Sequence, residues 1–229
     1  MLELINVTAE IAGVQVLRGV SATIAVGTTV AVVGRNGAGK TTLLRAIMGL
    51  LPLRTGDVTL DGESLGAHPP HDRARLGIGY SPENRVLFPS FSVESNLRFP
   101  CEVSGLPRVE VTRRLDEVLG IVPEVADLLG RSAAGLSGGQ GKMAALGRAL
   151  MVAKKLLLLD EPFQGLAPAL AQRYAQALQR LQVERPELAV MVTESNAALL
   201  KDVRTLPLHL ERGALAFAAK PQETYGDQP

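Results

Sequence analysis

Apolar and polar residues follow one another along the chain in two rhythms. Residues 2–7 alternate between the two classes, whereas residues 28–33, 156–160 and 189–193 form short runs that are almost wholly apolar. Such runs are typical of strands buried on both faces of a sheet, because neither face then needs polar side chains. The strands alternate with stretches of helical spacing, which predicts an α/β fold built on a parallel sheet.

The helical stretches have recognisable starts and stops. One follows a glycine-rich loop and ends by Pro52, and another opens at Pro168. Between about residues 92 and 153 the helical spacing is nearly continuous. Breaks in that stretch are expected at Pro100, at residues 105–107 and at residues 121–123.

Turn signals divide the remaining segments. Asp61-Gly62 and Arg212-Gly213 are each flanked by strand-like residues, so both predict β-hairpins. Residues 67–72 are a proline-rich connector, and residues 221–229 are expected to be a frayed polar tail.

The composition excludes several classes of protein. Lys and Arg total 24 against 23 Asp and Glu among 229 residues, so the chain lacks the basic excess of a dedicated nucleic-acid binder. The single cysteine, Cys101, excludes a disulfide scaffold and a cysteine-based zinc site. No stretch reaches the roughly 18 apolar residues of a membrane span, and Glu3 and Glu10 are unlike a secretory signal. We therefore expect a cytosolic chain, or one that reaches a membrane only through a partner.

A phosphate-binding loop is predicted at residues 34–41, which fit the pattern G-x-x-x-x-G-K-[ST] after a strand and before a helix. The glycines let backbone N–H groups turn toward phosphate oxygens, and the following helix adds the positive end of its dipole. Lys40 is expected to reach the β- and γ-phosphates, Thr41 to hold Mg²⁺ and Thr42 to donate to the α-phosphate. The predicted nucleotide contacts in this segment are Gly34, Arg35, Asn36, Gly37, Ala38, Gly39, Lys40, Thr41 and Thr42.

Two carboxylates follow the apolar run at residues 156–160. Asp160 closes the run, and at a strand end it can approach a Mg²⁺ ion directly or through water. Adjacent residues at a strand end point apart, so Glu161 can face an attacking water while Asp160 serves the metal. Alone, the Asp-Glu-Pro sequence is equally compatible with a solvated strand end, but the upstream loop favours nucleotide chemistry.

A second anion site is predicted at residues 136–140, LSGGQ. Ser137 is a candidate N-cap, and Gly138 and Gly139 leave backbone N–H groups bare at the start of a helix. One chain does not need two such sites for one phosphate tail. This helix start is therefore suited to phosphates that another subunit holds.

The segments GRNGAGKTT, LSGGQ, LLLLDEP and GLAP, in this order and spacing, resemble the nucleotide-binding subunit of ABC transporters across nearly the whole chain. The resemblance implies a P-loop NTPase core with a RecA-like, mainly parallel sheet, an N-terminal antiparallel β subdomain and an inserted α-helical subdomain. It puts the core at about residues 1–91 and 154–220, the helical subdomain at about 92–153 and the tail at 221–229.

The same resemblance implies ATP and Mg²⁺ as cofactors and a head-to-tail pair of subunits. Each ATP would lie between one subunit's phosphate loop and the other's LSGGQ helix, and the second subunit is either another copy or a sister ATPase. The residues that would bind the partner's ATP are Leu136, Ser137, Gly138, Gly139 and Gln140.

Three further segments, residues 77–97, 161–168 and 193–201, are similar to the ATPases of branched-chain amino-acid importers of the LivF type and of related urea or amide importers. That branch implies a subunit on the cytoplasmic face of the inner membrane, peripheral through a permease that it contacts around Glu83 to Phe91. Glu83 stands where the family usually has Gln, and a carboxylate can bind Mg²⁺ or its water.

Two further positions depart from the family pattern. Ile11 stands where an aromatic residue normally stacks on adenine, so the base would lose about 1 kcal/mol or somewhat more of stacking. Ungapped counting puts Ser195, with Glu194 as the alternative, where many members place a His that contacts the γ-phosphate. We expect the shorter serine to reduce the rate by up to roughly 10²–10³-fold relative to a His-bearing site.

The residues favour Mg²⁺-dependent ATP hydrolysis, in which Glu161 polarises water while Lys40, Mg²⁺ and the partner's Ser137 and Gly139 stabilise charge on the γ-phosphoryl group. The departures at Ile11 and Ser195 leave open the alternative of a regulatory ABC subunit that binds ATP tightly but hydrolyses it weakly or not at all. Transporter-free ABC proteins, P-loop kinases and GTPases are disfavoured. The chain has no room for a second cassette, no Arg-rich lid and no N-K-x-D motif.

Overall fold

Strands and helices alternate through the central part of the chain, as the residue pattern predicts. The structure is a computed structural model that describes residues 1–84 and 87–216, so the tail predicted at residues 221–229 lies outside the described residues. The strands are β1 (Leu2–Ile11), β2 (Val14–Ile24), β3 (Thr29–Val33), β4 (Thr55–Leu60), β5 (Glu63–Ser64), β6 (Ile78–Ser81), β7 (Leu156–Asp160), β8 (Ala189–Glu194), β9 (Leu206–Glu211) and β10 (Ala214–Ala216). The helices are α1 (Lys40–Ile47), α2 (Pro70–Arg73), α3 (Val93–Val103), α4 (Arg108–Ile121), α5 (Gly138–Val152) and α6 (Pro168–Glu184).

Two sheets organise these elements. The larger has the strand order β10-β9-β3-β8-β7-β6, and its neighbours are parallel except for β10, which returns antiparallel on β9. The smaller is antiparallel, with the order β2-β1-β4-β5. Both predicted hairpins form, and each turns on two residues with positive φ, Asp61-Gly62 and Arg212-Gly213. The chain thus has the predicted mixture of a mainly parallel and an antiparallel sheet.

The inner strands of the larger sheet are buried on both faces. In β7, Leu157 and Leu159 pack into the hydrophobic cluster that includes α3, α4 and α5, whereas Leu156 and Leu158 pack into the cluster that includes α1 and the smaller sheet. The same alternation holds in β8. Because both faces are apolar, the polar residues of these strands are confined to their ends.

The long helical stretch joins two neighbouring strands of the sheet. Helices α3, α4 and α5 follow β6 and precede β7. These two strands are neighbours, and Ile78 of β6 pairs with Leu156 of β7. The predicted breaks at residues 105–107 and 121–123 are confirmed, but the break predicted at Pro100 is wrong, because α3 continues through it. Leu97 and Cys101, on either side of that proline, are fully buried, so packing compensates for the lost backbone hydrogen bond.

None of the helices in the described part of the chain is long and apolar enough to span a bilayer.

Candidate active site

The carboxyl ends of β3, β7 and β8 meet at one edge of the larger sheet. Val33 pairs with Glu194, and Asp160 pairs with Thr193. The loop after β3, the turn after β7 and the loop after β8 therefore leave the sheet side by side. Polar groups at the ends of buried strands converge here, as is usual for sites in open α/β sheets.

The loop after β3 curls as the glycine pattern predicts. Gly39 is the N-cap of α1 with φ 107°, and Gly37 has φ 81°. At Gly34 a Cβ atom would lie 2.2 Å from the carbonyl oxygen of Leu210 on β9, so no side chain fits there. Glycine is thus required for both backbone curvature and close packing. No side chain caps the start of α1, so its first N–H groups suit an anion.

Lys40 is the buried cation of this loop. Its Nζ atom donates to the carbonyl oxygens of Gly34, at 2.7 Å, and Arg35, at 3.2 Å. It also lies 3.0 Å from Oε1 of Glu161, and the two side chains are only 5% and 6% exposed. The predicted phosphate-binding lysine and the predicted base therefore meet across the site.

Asp160 has one oxygen engaged and one without a partner. Its Oδ1 atom accepts hydrogen bonds from Thr41 Oγ1, at 3.0 Å, and from Thr193 Oγ1, at 2.8 Å. Its Oδ2 atom is buried and has no hydrogen-bond partner among the described residues. Burial raises the pKa of Asp160, against the effect of the two threonine hydroxyls. A buried carboxylate oxygen of this kind, beside a threonine hydroxyl, fits a divalent cation.

Glu161 adopts a left-handed backbone conformation, with φ 46°, which is uncommon for a residue with a side chain. Its N–H lies 3.1 Å from Thr193 Oγ1 and 3.2 Å from the Thr193 carbonyl oxygen. Its Oε2 atom accepts from both the N–H and the Oγ of Ser195, at 3.1 and 3.2 Å. The carboxylate is consequently held between Lys40 on one side and Ser195 on the other.

Glu194, the alternative to Ser195 by sequence counting, is fully buried behind the same turn. Its Oε1 atom accepts from the N–H of Phe163 at 2.9 Å, and its Oε2 atom has no hydrogen-bond partner in the described part of the chain. Burial raises the pKa of Glu194 to about 8, and the nearby charge of Glu161 acts in the same direction. Near neutral pH this carboxyl therefore retains its proton for much of the time.

A cavity of about 430 Å³ opens over the loop. Its lining residues are Val16, Asn36, Gly37, Gly39, Lys40, Thr41, Thr42, Glu83, Glu161 and Gln164. The other predicted loop residues line a second cavity on the outer side of the loop, against β9. They are Gly34, Arg35 and Ala38. Most of the predicted phosphate and metal ligands thus face one space.

Ile11 is not among the residues that line this cavity. It is 44% exposed at the β1–β2 hairpin, where it pairs with Val14. Val16, two residues further along β2, is the apolar side chain of the cavity wall. Aliphatic contact with an adenine base at this end of the cavity would therefore come directly from Val16, and Ile11 would lie further out.

The LSGGQ segment starts α5 as predicted. Ser137 is the N-cap, its Oγ accepts from the N–H of Gln140, and the Gln140 side chain accepts from the N–H of Ser137, which completes a capping box. Ser137 and Gly138 are exposed, and no residue of the segment lines the cavity over the phosphate loop. Within one chain, the two predicted anion sites are separate.

Glu83 reaches the cavity from the segment that the sequence assigns to a permease contact. Arg85 and Val86 of that segment lie outside the described residues. Beyond them, Phe88 and Phe91 pack with Phe99, with ring centroids 5.0 to 5.8 Å apart. Phe88 and Phe91 are 43% and 36% exposed, so this segment carries an exposed aromatic surface.

Three site residues were not predicted from the sequence. Thr193 donates a hydrogen bond to Asp160. Its position at the end of an apolar run was a usable signal, because polar residues at the ends of neighbouring parallel strands lie side by side, as Thr193 and Asp160 do. Val16 and Gln164 line the cavity, but nothing in the residue pattern distinguishes them. Their placement depends on how the β1–β2 hairpin and the turn after β7 approach the loop.

Known proteins similar to this chain are ATP-binding proteins of transporters. The ABC transporter family profile matches residues 17–164. The chain is 33% identical over 217 residues to a probable branched-chain amino acid transport ATP-binding protein LivF of Archaeoglobus fulgidus, covering 95% of this chain and 91% of that protein. It is 35% identical over 204 residues to the high-affinity branched-chain amino acid transport ATP-binding protein BraG of Pseudomonas aeruginosa, covering 89% and 86%. It is 36% identical over 228 residues to an Fe(3+) ions import ATP-binding protein FbpC of Pseudomonas fluorescens, covering 98% of this chain and 62% of that protein.

Solved structures share the fold. An ATP-binding subunit of an ABC transporter superposes with a TM-score of 0.81 at 27% identity, covering 94% of this chain and 88% of that one. A dimeric bacterial ABC transporter cassette superposes with a TM-score of 0.82 at 24% identity, covering 94% and 96%. The predicted fold class is therefore confirmed.

Proposed function

This chain belongs to the ABC transporter family, and from that premise we propose that it is an ATP-binding and ATP-hydrolysing subunit that energises an ABC importer. One observation carries the proposal. Lys40, Thr41 and Glu161 line one cavity, and Asp160 lies directly behind Thr41. Phosphate binding, metal binding and activation of water are thereby available within a few ångströms.

The phosphate loop supplies positive potential without a large net charge. Bare N–H groups at the start of α1 and the Lys40 ammonium group face the cavity, and both suit the β- and γ-phosphates of ATP. Lys40 already interacts with backbone oxygens and with Glu161, so a bound γ-phosphate competes for the same ammonium group. This competition separates Glu161 from the lysine as the nucleotide is bound.

Thr41 and Asp160 are the residues that would hold Mg²⁺. The unpartnered Oδ2 atom of Asp160 and the Thr41 hydroxyl are hard oxygen ligands, and the Glu83 carboxylate lines the same cavity. In the described part of the chain, no group of three His, Cys, Asp or Glu side chains forms a complete metal site. Held by these residues together with a bound phosphate, magnesium would supply positive charge to offset the negative charge that develops on the phosphates.

Glu161 is the candidate general base. Its carboxylate takes a proton from a water whose oxygen forms a bond to the γ-phosphorus, while the bond from that phosphorus to the bridging oxygen of ADP breaks. Lys40 offsets the negative charge on the transferred group. Proton transfer to a positioned base contributes roughly 10²–10⁴-fold. Ser195 holds the second carboxylate oxygen, so its proposed contribution is to orient Glu161.

A second cassette completes the proposed site. The exposed start of α5 presents the Ser137 hydroxyl and the positive end of the helix dipole away from the cavity of its own chain. A partner subunit that approaches head to tail can place its phosphates there, and this chain can do the same for the partner. The partner is either a second copy or a sister ATPase.

The proposed permease contact lies around Glu83 to Phe91, where the exposed Phe88 and Phe91 rings suit an apolar segment. Through it the chain would be peripheral at the cytoplasmic face of the inner membrane. The transported solute is a small polar molecule. Two relatives named for branched-chain amino acid transport support such amino acids as the first solutes to test.

The decisive experiment compares Mg²⁺-ATP hydrolysis by the wild-type chain and by Glu161→Gln across a range of protein concentrations. The variant keeps the size of the side chain and removes the base, so we expect ATP binding within about threefold of wild type and turnover lower by roughly 10²–10⁴-fold. Wild-type turnover should rise more steeply than linearly with protein concentration if two cassettes form each site. Normal hydrolysis by the variant would show that Glu161 is not the base. Wild-type binding of ATP without turnover, alone and with the permease, would instead favour a regulatory subunit.

A further inference from the structure

The first turns of α5 rest on the segment that follows Glu161. At Gly139 a Cβ atom would lie 1.8 Å from Leu170 Cδ2 and 3.3 Å from Leu166 Cδ2, so any side chain there would displace the Leu170 side chain. Lys142 is three residues further along, on the same face of the helix. The face of α5 that begins with the LSGGQ segment is therefore packed against the turn after β7.

Lys142 makes a specific connection across this contact. Its Nζ atom lies 2.7 Å from the carbonyl oxygen of Glu161 and 2.7 Å from that of Gln164. Both acceptors belong to the turn at residues 161–164, in which the N–H of Gln164 also donates to the Glu161 carbonyl at 3.3 Å. Two short, charge-assisted hydrogen bonds to backbone oxygens are stronger and more directional than an exposed ion pair.

The turn at residues 161–164 needs such support. The positive φ of Glu161 is disfavoured for a residue with a side chain, so the surrounding contacts must stabilise it. From the side of β8, Glu194 accepts from the N–H of Phe163. From the side of α5, Lys142 binds the carbonyl oxygens at the two ends of the turn. The backbone of the turn is thus held from both sides, and the Glu161 carboxylate is directed into the cavity.

We propose that Lys142 is a positioning residue for hydrolysis: its ammonium group binds the Glu161 and Gln164 carbonyl oxygens and so fixes the backbone conformation that directs Glu161 at the reacting water. Lys142 does not line the cavity, so we expect its loss to lower turnover rather than the affinity of this cavity for ATP. This inference rests on the proposed function of Glu161.

The test replaces Lys142 with methionine, which matches the lysine stem in length but cannot donate. Lys201→Met, at an exposed lysine that belongs neither to the turn nor to the cavity lining, is the matched control, and Lys142→Arg retains the charge and the donors. We expect kcat to fall by about 10- to 30-fold in Lys142→Met, with the Kd for ATP within twofold of wild type. Lys201→Met should match wild type, and Lys142→Arg should recover at least a third of the wild-type kcat.

Amide hydrogen exchange of the turn at residues 161–164 gives a readout that does not depend on hydrolysis. The Phe163 and Gln164 N–H groups should exchange at least tenfold faster in Lys142→Met than in wild type or Lys201→Met. Faster exchange would support the contact even if the wild type proved inactive, in which case only the proposed function would fail. A kcat within twofold of wild type in Lys142→Met, or unchanged exchange in the turn, would overturn the proposal.

Discussion

Ser195 offers the sharpest test of how Glu161, the proposed base, is oriented. Its N–H and its Oγ both donate to Oε2 of Glu161, at 3.1 and 3.2 Å. Ser195→Ala removes the hydroxyl donor and leaves the backbone donor in place. Ser195→Thr keeps the hydroxyl and adds a methyl group, for which the exposed position has room.

The magnitude follows from the geometry of the lost contact. A hydrogen bond to a charged group contributes about 1.5–3 kcal/mol, and at 3.2 Å this one belongs near the lower end. The remaining N–H bond limits the movement of the carboxylate. A loss of about 1.5 kcal/mol corresponds to a roughly tenfold lower kcat, since about 1.4 kcal/mol is a factor of ten. Ser195 does not line the cavity, so the Kd for ATP should change by less than about twofold.

The assay is steady-state hydrolysis at saturating Mg²⁺-ATP, with the Kd for ATP measured separately on each variant. We expect Ser195→Ala to be about tenfold slower and Ser195→Thr to remain within threefold of wild type. A Ser195→Ala enzyme with wild-type kcat would refute the assigned role. A faster variant would refute it as well, because the hydroxyl would then hold Glu161 away from the reacting water.

Two further predictions concern stability. Burial raises the pKa of Glu194 to about 8 from an ordinary value of 4.5. Between these two pH values the folded chain holds a proton that the unfolded chain releases. The stabilising contribution of this group is therefore lost as the pH rises from 4.5 to about 8. The unfolding free energy, measured with urea, should change less between pH 5.5 and pH 7.5 in Glu194→Gln than in wild type. An equal change in the two proteins would contradict the buried, protonated state of Glu194. Arg73 is buried and donates to the carbonyl oxygens of Ala46 and Ile47 at the end of α1 and to that of Leu65. Arg73→Met should therefore lower the unfolding free energy by about 2–4 kcal/mol in the same assay, whereas a change below about 0.5 kcal/mol would mean that other donors or solvent replace the guanidinium group.

Local rules predicted the elements that depend on neighbouring residues. The phosphate loop and the start of α5 are specified by glycine spacing and by the Ser137–Gln140 capping box, both of which act within a few residues. The buried strands were also predicted, because short apolar runs with β-branched residues are typical of a sheet covered on both faces. The error at Pro100 has the opposite origin. Local chemistry predicted a break there, and tertiary packing of Leu97 and Cys101 overrode it.

The sequence by itself predicted the chemistry available to this chain: a phosphate loop with Lys40 and Thr41, two carboxylates at a strand end, and a second helix start suited to an anion. Only the tertiary structure decided which of these groups act together. The contact of Ser195 with Glu161 and that of Lys142 with the turn after β7 join residues 34 and 19 positions apart in sequence, respectively. No residue spacing encodes such contacts, because they depend on the register of parallel strands and on the packing of α5 against that turn.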